Sequence, residues 1–76
     1  MDYEEFQRKV SQRIKDLRLK HNLTQEEIAG LEMGVRVYQR IESGGGAPSL
    51  KSLFLIAKSL KMHPKELLDF PVQFEE

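Results

Sequence analysis

The side chains best suited to chemistry in this sequence are Arg36, Gln39 and Arg40, which become neighbours when the segment is drawn as a helix. Arginine forms paired hydrogen bonds with the edge of guanine, and glutamine does the same with adenine. The same composition also fits an ordinary solvated helix. These residue types therefore indicate nucleic-acid recognition only if the surrounding elements hold them on an exposed surface.

The sequence offers no other set of residues from which an active site could be built. Its 76 residues contain no cysteine, which excludes thiol catalysis, disulfide bonds and cysteine-based zinc sites. His21 and His63 lie far apart with no pattern of carboxylates beside them, and no Gly-Lys-Ser sequence is present to hold nucleotide phosphates. We therefore expect no enzyme and no metal, cofactor or small-molecule site.

Apolar residues recur at intervals of three and four along most of the chain, which predicts helices rather than strands. The first helix is expected to run from the start of the chain to about Lys20. Its inward stripe consists of Tyr3, Phe6, Val10, Ile14 and Leu17. Thr24 and Glu27 are spaced as a capping box, so we expect a second helix that begins here and ends near Leu31 or Glu32.

A turn near Met33–Gly34 leads to a third helix over residues 35–42, closed by Gly44 as its C-cap. The helical period divides this helix into two sides. The inward side comprises Val37, Tyr38 and Ile41. The outward side comprises Val35, Arg36, Gln39, Arg40 and Ser43. We interpret Tyr38 as a core residue rather than as a platform for stacking bases.

Pro48–Ser49 opens a fourth helix, and Pro64 opens a fifth whose N-cap is His63. The inward residues of these two helices are Leu50, Leu53, Phe54, Ala57, Leu60, Leu67 and Leu68. The apolar tail that begins at Phe70 cannot continue as a helix through Pro71. Together with the start of the first helix, this tail either closes a small core or forms the seam of a dimer.

The length predicts a single domain over residues 1–76, with a core of about 10–69, a helix extension over 1–9 and an apolar, acidic tail over 70–76. Twelve basic and twelve acidic residues give a net charge of zero. The stretch from Arg8 to Lys65 nevertheless holds all twelve bases and only five acids, a net charge of +7. This local charge can attract a polyanion, although it also suits a solvated surface.

Nothing in the sequence predicts a membrane partner. The longest apolar run, Leu53–Ala57, has five residues, whereas about 18 are needed to span a bilayer. The acidic start of the chain lacks the basic and apolar regions of a signal peptide. We therefore expect a cytoplasmic location.

Several segments occur in a fixed order and spacing, namely Ile14–Arg18, Leu23–Ala29, Arg40–Gly44, Pro48–Leu50, Ile56–Ala57 and Pro64–Leu68. This pattern, which covers about residues 10–69, resembles the Cro/phage-repressor (XRE) helix-turn-helix family. The resemblance implies a compact five-helix bundle of the phage-repressor DNA-binding type, with a helix-turn-helix formed by helices 2 and 3. It also implies a bacterial or phage-encoded protein that binds operators in double-stranded DNA, usually as a homodimer.

The resemblance also implies roles for individual residues. Gln25 matches a position that holds a DNA phosphate, and Arg18 and Glu42 match a buried ion pair that braces the first helix against the third. The candidates for reading bases are Val35, Arg36, Gln39 and Arg40. The candidates for contacting phosphates are Gln25, Ser43, Gly44, Gly45 and Lys51.

The chain departs from the family pattern in two places. From Ala29 to Ile41 it is one residue shorter than usual, with Met33 where the turn glycine belongs, so we expect either a tighter turn or a later third helix. Either change can shift the base-reading positions by one. The loop over residues 44–47 lacks the usual lysine or arginine, and its glycines either approach a phosphate closely or serve as a flexible connector.

These observations favour a sequence-specific DNA-binding transcriptional regulator, a repressor or controller protein that binds a roughly palindromic operator through the major groove as a dimer. The alternative is a protein-interaction module, such as an antitoxin-like or phage-encoded partner with weak DNA binding. The shortened turn, the loop without a basic residue and the acidic ends of the chain favour this alternative.

Overall fold

The computed structural model describes residues 1–74, and within them the chain forms four α-helices and one short 3₁₀ turn, with no β-strand. The helices are α1 (Tyr3–Lys20), α2 (Gln25–Met33), α3 (Val35–Glu42) and α4 (Leu50–Leu60), and the 3₁₀ turn spans Pro64–Leu68. The predicted all-α class is confirmed. None of the helices in this part of the chain is long and apolar enough to cross a membrane.

The prediction of five helices is wrong, because the last element is a 3₁₀ turn of five residues, Pro64–Leu68. The amide of Asp69 donates to the carbonyl of Glu66 at 3.4 Å, a bond that spans three residues rather than four. Pro71 follows closely and cannot continue a helix. The segment is therefore too short for a regular α-helix.

The predicted helix caps are confirmed at two starts. The Thr24 hydroxyl accepts from the Glu27 amide at 3.0 Å, and the Glu27 carboxylate accepts from the Thr24 amide at 2.9 Å. At the 3₁₀ turn, Nδ1 of His63 accepts from the Lys65 amide at 3.0 Å. Each cap satisfies a backbone donor that would otherwise lack a partner, and together they explain why these local boundaries can be read from the sequence.

The core lies where the four helices meet. α2 packs against α3 and α4, while α1 packs against α3 and the 3₁₀ turn. The buried apolar residues are Val10, Ile14, Leu17, Ile28, Ala29, Tyr38, Ile41, Ile56, Ala57, Leu60 and Leu67. Every element contributes at least one of them, so α3 is held against both α1 and α2.

Five residues that were expected to face inward are exposed instead, namely Tyr3, Val37, Leu50, Phe54 and Leu68. Tyr3 is 63% exposed because it lies in the first turn of α1. Leu50 and Phe54 on α4 are 86% and 58% exposed, and Leu68 is 42% exposed. For Leu50 and Phe54 the reason lies in the packing of α4, whose buried side is centred on Ile56 and Leu60 and leaves the opposite flank in solvent. Leu68, by contrast, ends the 3₁₀ turn. These three exposed apolar residues, Leu50, Phe54 and Leu68, are called the α4 patch below.

The tail returns along the start of α1. The rings of Phe6 and Phe70 pack with their centroids 5.6 Å apart, and the amino group of Met1 donates to the Gln73 carbonyl at 2.8 Å. This part of the tail therefore closes the core, which was the first of the two roles expected for it, the other being the seam of a dimer. The acidic end of the predicted tail, residues 75–76, lies outside the described residues.

Candidate nucleic-acid interface

The connection between α2 and α3 depends on two glycines with positive φ. Gly30 has φ 68° and ψ −175°, which interrupts α2 after Ala29, and Gly34 has φ 79° immediately before α3. Glycine adopts such angles without the strain that a side chain would add. Of the two outcomes expected from the shortened spacing, the structure has the tighter turn, and α3 begins at Val35 as predicted.

An ion pair connects α1 to α3. Nε and Nη2 of Arg18 donate to the two carboxylate oxygens of Glu42 at 3.0 and 2.8 Å, and Nη1 donates to the Leu23 carbonyl at 2.9 Å. The side chains of Arg18 and Glu42 are only 12% and 6% exposed. Because charges shielded to this degree need each other, the pair fixes the position of α3 relative to α1.

The ion pair and its burial shift the pKa values of Glu42, Arg18 and the neighbouring Tyr38. Burial acts to raise the pKa of Glu42, but the hydrogen bonds and charge of Arg18, together with the nearby Tyr38 and Gln25, outweigh it and hold that pKa below the ordinary value of 4.5. The hydrogen bond to Glu42 raises the pKa of Arg18. Burial, followed by the nearby Glu42, raises the pKa of the Tyr38 phenol. Both members of the pair are therefore charged at neutral pH.

The outward face of α3 carries two arginines that the fold does not use. The side chains of Arg36 and Arg40 are exposed, and neither forms an ion pair or donates a hydrogen bond within residues 1–74. By contrast, Arg18 is paired with Glu42, and Arg13 donates to a carbonyl of the 3₁₀ turn at 2.8 Å. The unpaired guanidinium groups of Arg36 and Arg40 are therefore available to an external acceptor.

A hydrogen bond across the turn links α2 to α3. Nε2 of Gln39 donates to Oε1 of Gln25 at 3.0 Å, and both residues lie on the surface side of the helix pair. This bond leaves Gln39 with its amide oxygen and one N–H free. An acceptor next to a donor is the arrangement that adenine requires in the major groove.

The glycine loop after α3 directs its amides back to the helix. The Gly44 amide donates to the Ile41 carbonyl at 3.2 Å, and the Gly45 amide donates to the Arg40 carbonyl at 3.0 Å. The Ser43 hydroxyl also donates to the Arg40 carbonyl, at 3.1 Å. These donors cap α3, in agreement with the predicted C-terminal glycine.

The first turn of α4 supplies a basic side chain beside this loop. Lys51 is exposed there, two residues after the N-cap Ser49, whose hydroxyl accepts from the Ser52 amide at 3.0 Å. Of the five phosphate candidates it is the one that carries a positive charge. Gln25, at the other end of the helix pair, is half-buried.

The two valines of α3 are placed differently from the prediction. Val35 was expected to face outward and is half-buried, whereas Val37 was expected to pack inward and is 52% exposed. The buried side of α3 is centred on Tyr38 and Ile41, and Val37 falls on the flank that faces α4. The sequence prediction missed Val37 as a surface residue of this face. A helical projection centred on Tyr38 and Ile41 would not have identified it, because at about 100° per residue Val37 lies nearer the buried direction than Val35 does.

Within residues 1–74 no three histidine or acidic side chains lie close enough together to hold a metal ion. A family model described as helix-turn-helix matches residues 14–67, which include all of α2, α3 and α4. No curated protein and no solved structure matches the chain. The matched segment covers most of the chain and contains the ion pair, the turn and the outward face of α3. The chain therefore belongs to the helix-turn-helix family, of the XRE type.

Proposed function

We propose that this XRE-type DNA-binding regulator recognises a specific operator, with α3 placed in the major groove. The observation that carries the proposal is the unpaired state of Arg36 and Arg40 on the outward face of α3. Two such guanidinium groups, one turn apart, complement guanine edges and the phosphates that flank them. Val35, at the start of the same helix, and Gln39, beside α2, complete the base-reading set.

The contacts that brace α3 support this proposal. The Arg18–Glu42 ion pair holds the helix from the α1 side, and the hydrogen bond from Gln39 to Gln25 holds it from the α2 side. A helix fixed in this way loses little conformational entropy on binding, so its side chains meet the groove already oriented. Rigid presentation of α3 is what sequence discrimination requires.

Contacts to the DNA backbone are proposed at both ends of the helix pair. Gln25 would contact a phosphate near the start of α2, and Lys51 would do so near the start of α4. Ser43, Gly44 and Gly45 would lie between them, close to the sugar-phosphate chain. Since the loop amides already donate to α3, we propose that Lys51 supplies most of the charge neutralisation in this region.

We further propose that two copies bind the two halves of a palindromic operator. The α4 patch supports this, because its three large apolar side chains lie 42–86% exposed. Leu53 and Leu68 also line an apolar groove with Tyr3 and Phe6. Large exposed apolar side chains and an apolar groove are typical of protein interfaces. In a dimer of this type the half-sites are about 34 Å apart, one turn of DNA.

The dimer can be tested by sedimentation equilibrium with and without operator. We expect Phe54→Asp to be monomeric and to bind a single half-site. Leu19→Asp introduces the same charge at a similarly exposed residue of α1 (53% against 58%) and should remain dimeric. A wild-type protein that stays monomeric at all concentrations, with and without DNA, contradicts the dimer.

Sequence-specific binding can be tested by selection from a random duplex pool, followed by titration of the enriched sequence. Arg36→Ala and Arg40→Ala should each weaken binding by about 1–3 kcal/mol and relax the preference at one base pair. Arg8→Ala removes the same charge from the exposed surface of α1 and should retain every base preference. Failure of the selection to enrich any sequence would contradict the proposal.

A second candidate function is a protein-interaction module, such as an antitoxin-like or phage-encoded partner. It is supported by Leu31, which is fully exposed at the break in α2, and by the groove that Leu31 lines with Leu55 and Lys58. Leu31→Ser should then release a stoichiometric partner protein without changing operator binding. A protein that discriminates operators and purifies without a partner contradicts this candidate.

A further inference from the structure

The flank of α3 that faces α4 combines one apolar and one charged side chain. Val37 is 52% exposed, and Arg40 follows it three residues later. Both line a shallow hollow of about 350 Å³, which is also lined by Gly46, Ala47 and Ser49 at the approach to α4. Val37 is not one of the buried residues of α3, which are Tyr38 and Ile41, so about half of its apolar side chain is presented on a polar surface.

The Arg40 side chain lies alongside Gly46 of the glycine loop, at the edge of this hollow. A Cβ added to Gly46 would lie 3.8 Å from both Nε and Nη2 of Arg40. Val37 and Arg40 are separated by three residues, a rise of about 4.5 Å along a helix. That rise is close to the spacing of about 3.4 Å between successive bases of one strand. A helix lying along the groove would therefore present the two side chains to adjacent base pairs.

The one methyl group on the base edges of the major groove is the 5-methyl group of thymine, and it is the usual partner of an apolar side chain there. Phosphate oxygens and the amide or amino groups of the other bases gain nothing from contact with a valine. We propose that Val37 is a specificity-determining residue that contacts a thymine methyl group, beside the base pair that Arg40 contacts. This inference rests on the proposed operator binding and adds a base preference to it.

The test uses the duplex enriched by selection, with each thymine replaced singly by deoxyuridine. This replacement removes the methyl group and leaves the base pairing and the hydrogen-bonding groups of both grooves unchanged. For the wild-type protein we expect one position per half-site at which the dissociation constant rises about fourfold, the effect of one buried methyl group. At that position Val37→Ala should bind the thymine and deoxyuridine duplexes equally, while keeping the preference assigned to Arg40.

Two further variants make the comparison specific. Leu19→Ala shortens an apolar side chain of nearly equal exposure on α1, 53% against 52%, and should retain the full fourfold effect. Val37→Thr keeps one of the two γ-methyl groups and should retain part of it. Because Val37 is exposed, circular dichroism should find all three variants folded, and Val37→Thr provides the comparison if Val37→Ala does not fold.

The outcomes separate this inference from the function on which it rests. If no thymine position responds to deoxyuridine, or if Val37→Ala responds as the wild type does, Val37 does not read the methyl group, although operator binding stands. If selection enriches no sequence at all, operator recognition and the thymine contact are both contradicted. The inference is supported if Val37→Ala loses the thymine preference while the wild-type protein and Leu19→Ala keep it.

Discussion

Gln39 and Gln25 lie on opposite sides of the turn between α2 and α3, and the side-chain amide of Gln39 donates to that of Gln25 at 3.0 Å. The bond joins the residue expected to read a base to the residue expected to hold a phosphate. Each glutamine limits the orientations of the other, so the two are expected to act as one unit in binding.

We expect this coupling to appear in a double-mutant cycle. Gln25→Ala and Gln39→Ala should each weaken binding to an operator that carries adenine opposite Gln39, and their effects should fall short of additivity by at least about 0.5 kcal/mol. Gln12 also donates from its amide, to Asp16 on α1 at 2.8 Å, and Gln12→Ala should have no effect. Strictly additive losses, measured by titration, would show that the two glutamines act independently.

The buried ion pair should dominate the stability of the helix pair. Glu42→Gln or Arg18→Met leaves one buried charge without its partner, so each should lower the free energy of unfolding by about 3 kcal/mol. Arg13→Met is the matched comparison, since Arg13 is 29% exposed and lies 3.5 Å from the Glu66 carboxylate. Its loss should cost less than about 1 kcal/mol. Urea denaturation gives all three values, and equal losses would contradict the special role of Arg18 and Glu42.

The free energy of unfolding should decrease at acid pH because of Glu42. Its pKa is lowered in the folded protein relative to the ordinary 4.5, so protonation favours the unfolded chain. The contribution of the carboxylate is therefore fully present above pH 4.5 and is lost as the pH falls through the lowered value. Urea midpoints measured from neutral pH downward should decrease in this window. They should decrease less in Glu42→Gln, and an identical acid dependence of the two proteins would contradict the assignment.

The salt dependence of binding should be shallow. The loop after α3 has no basic side chain, and its glycine amides are used as caps, so few phosphates are neutralised in each half-site. Lys51→Ala should reduce the slope of log Kd against log salt by about 0.9 for each half-site. Lys58→Ala, two turns further along α4, should leave the slope unchanged. Titrations at three salt concentrations distinguish the two variants. A slope in Lys51→Ala equal to that of the wild-type protein would exclude the phosphate contact.

Local chemistry made the helix starts and ends predictable. The capping box of Thr24 and Glu27 and the C-terminal Gly44 act within a few residues, so sequence patterns identify them directly. The exposure of Val37 and Phe54 depends instead on which side of each helix its neighbours cover, which is a property of the assembled bundle. The bond between Gln25 and Gln39 likewise depends on the turn at Gly30, whose positive φ is not evident from a single glycine in a helical pattern.

The residues that hold α3 in place are different from those that it presents. Tyr38, Ile41 and Glu42 face the rest of the bundle, while the side chains of Arg36 and Arg40 form no ion pair and donate no hydrogen bond within residues 1–74. We therefore expect substitutions at the presented positions to alter the proposed operator preference at little cost in stability. A regulator built in this way can acquire a new target one base pair at a time, and its recognition helix can be redesigned without redesigning the protein that carries it.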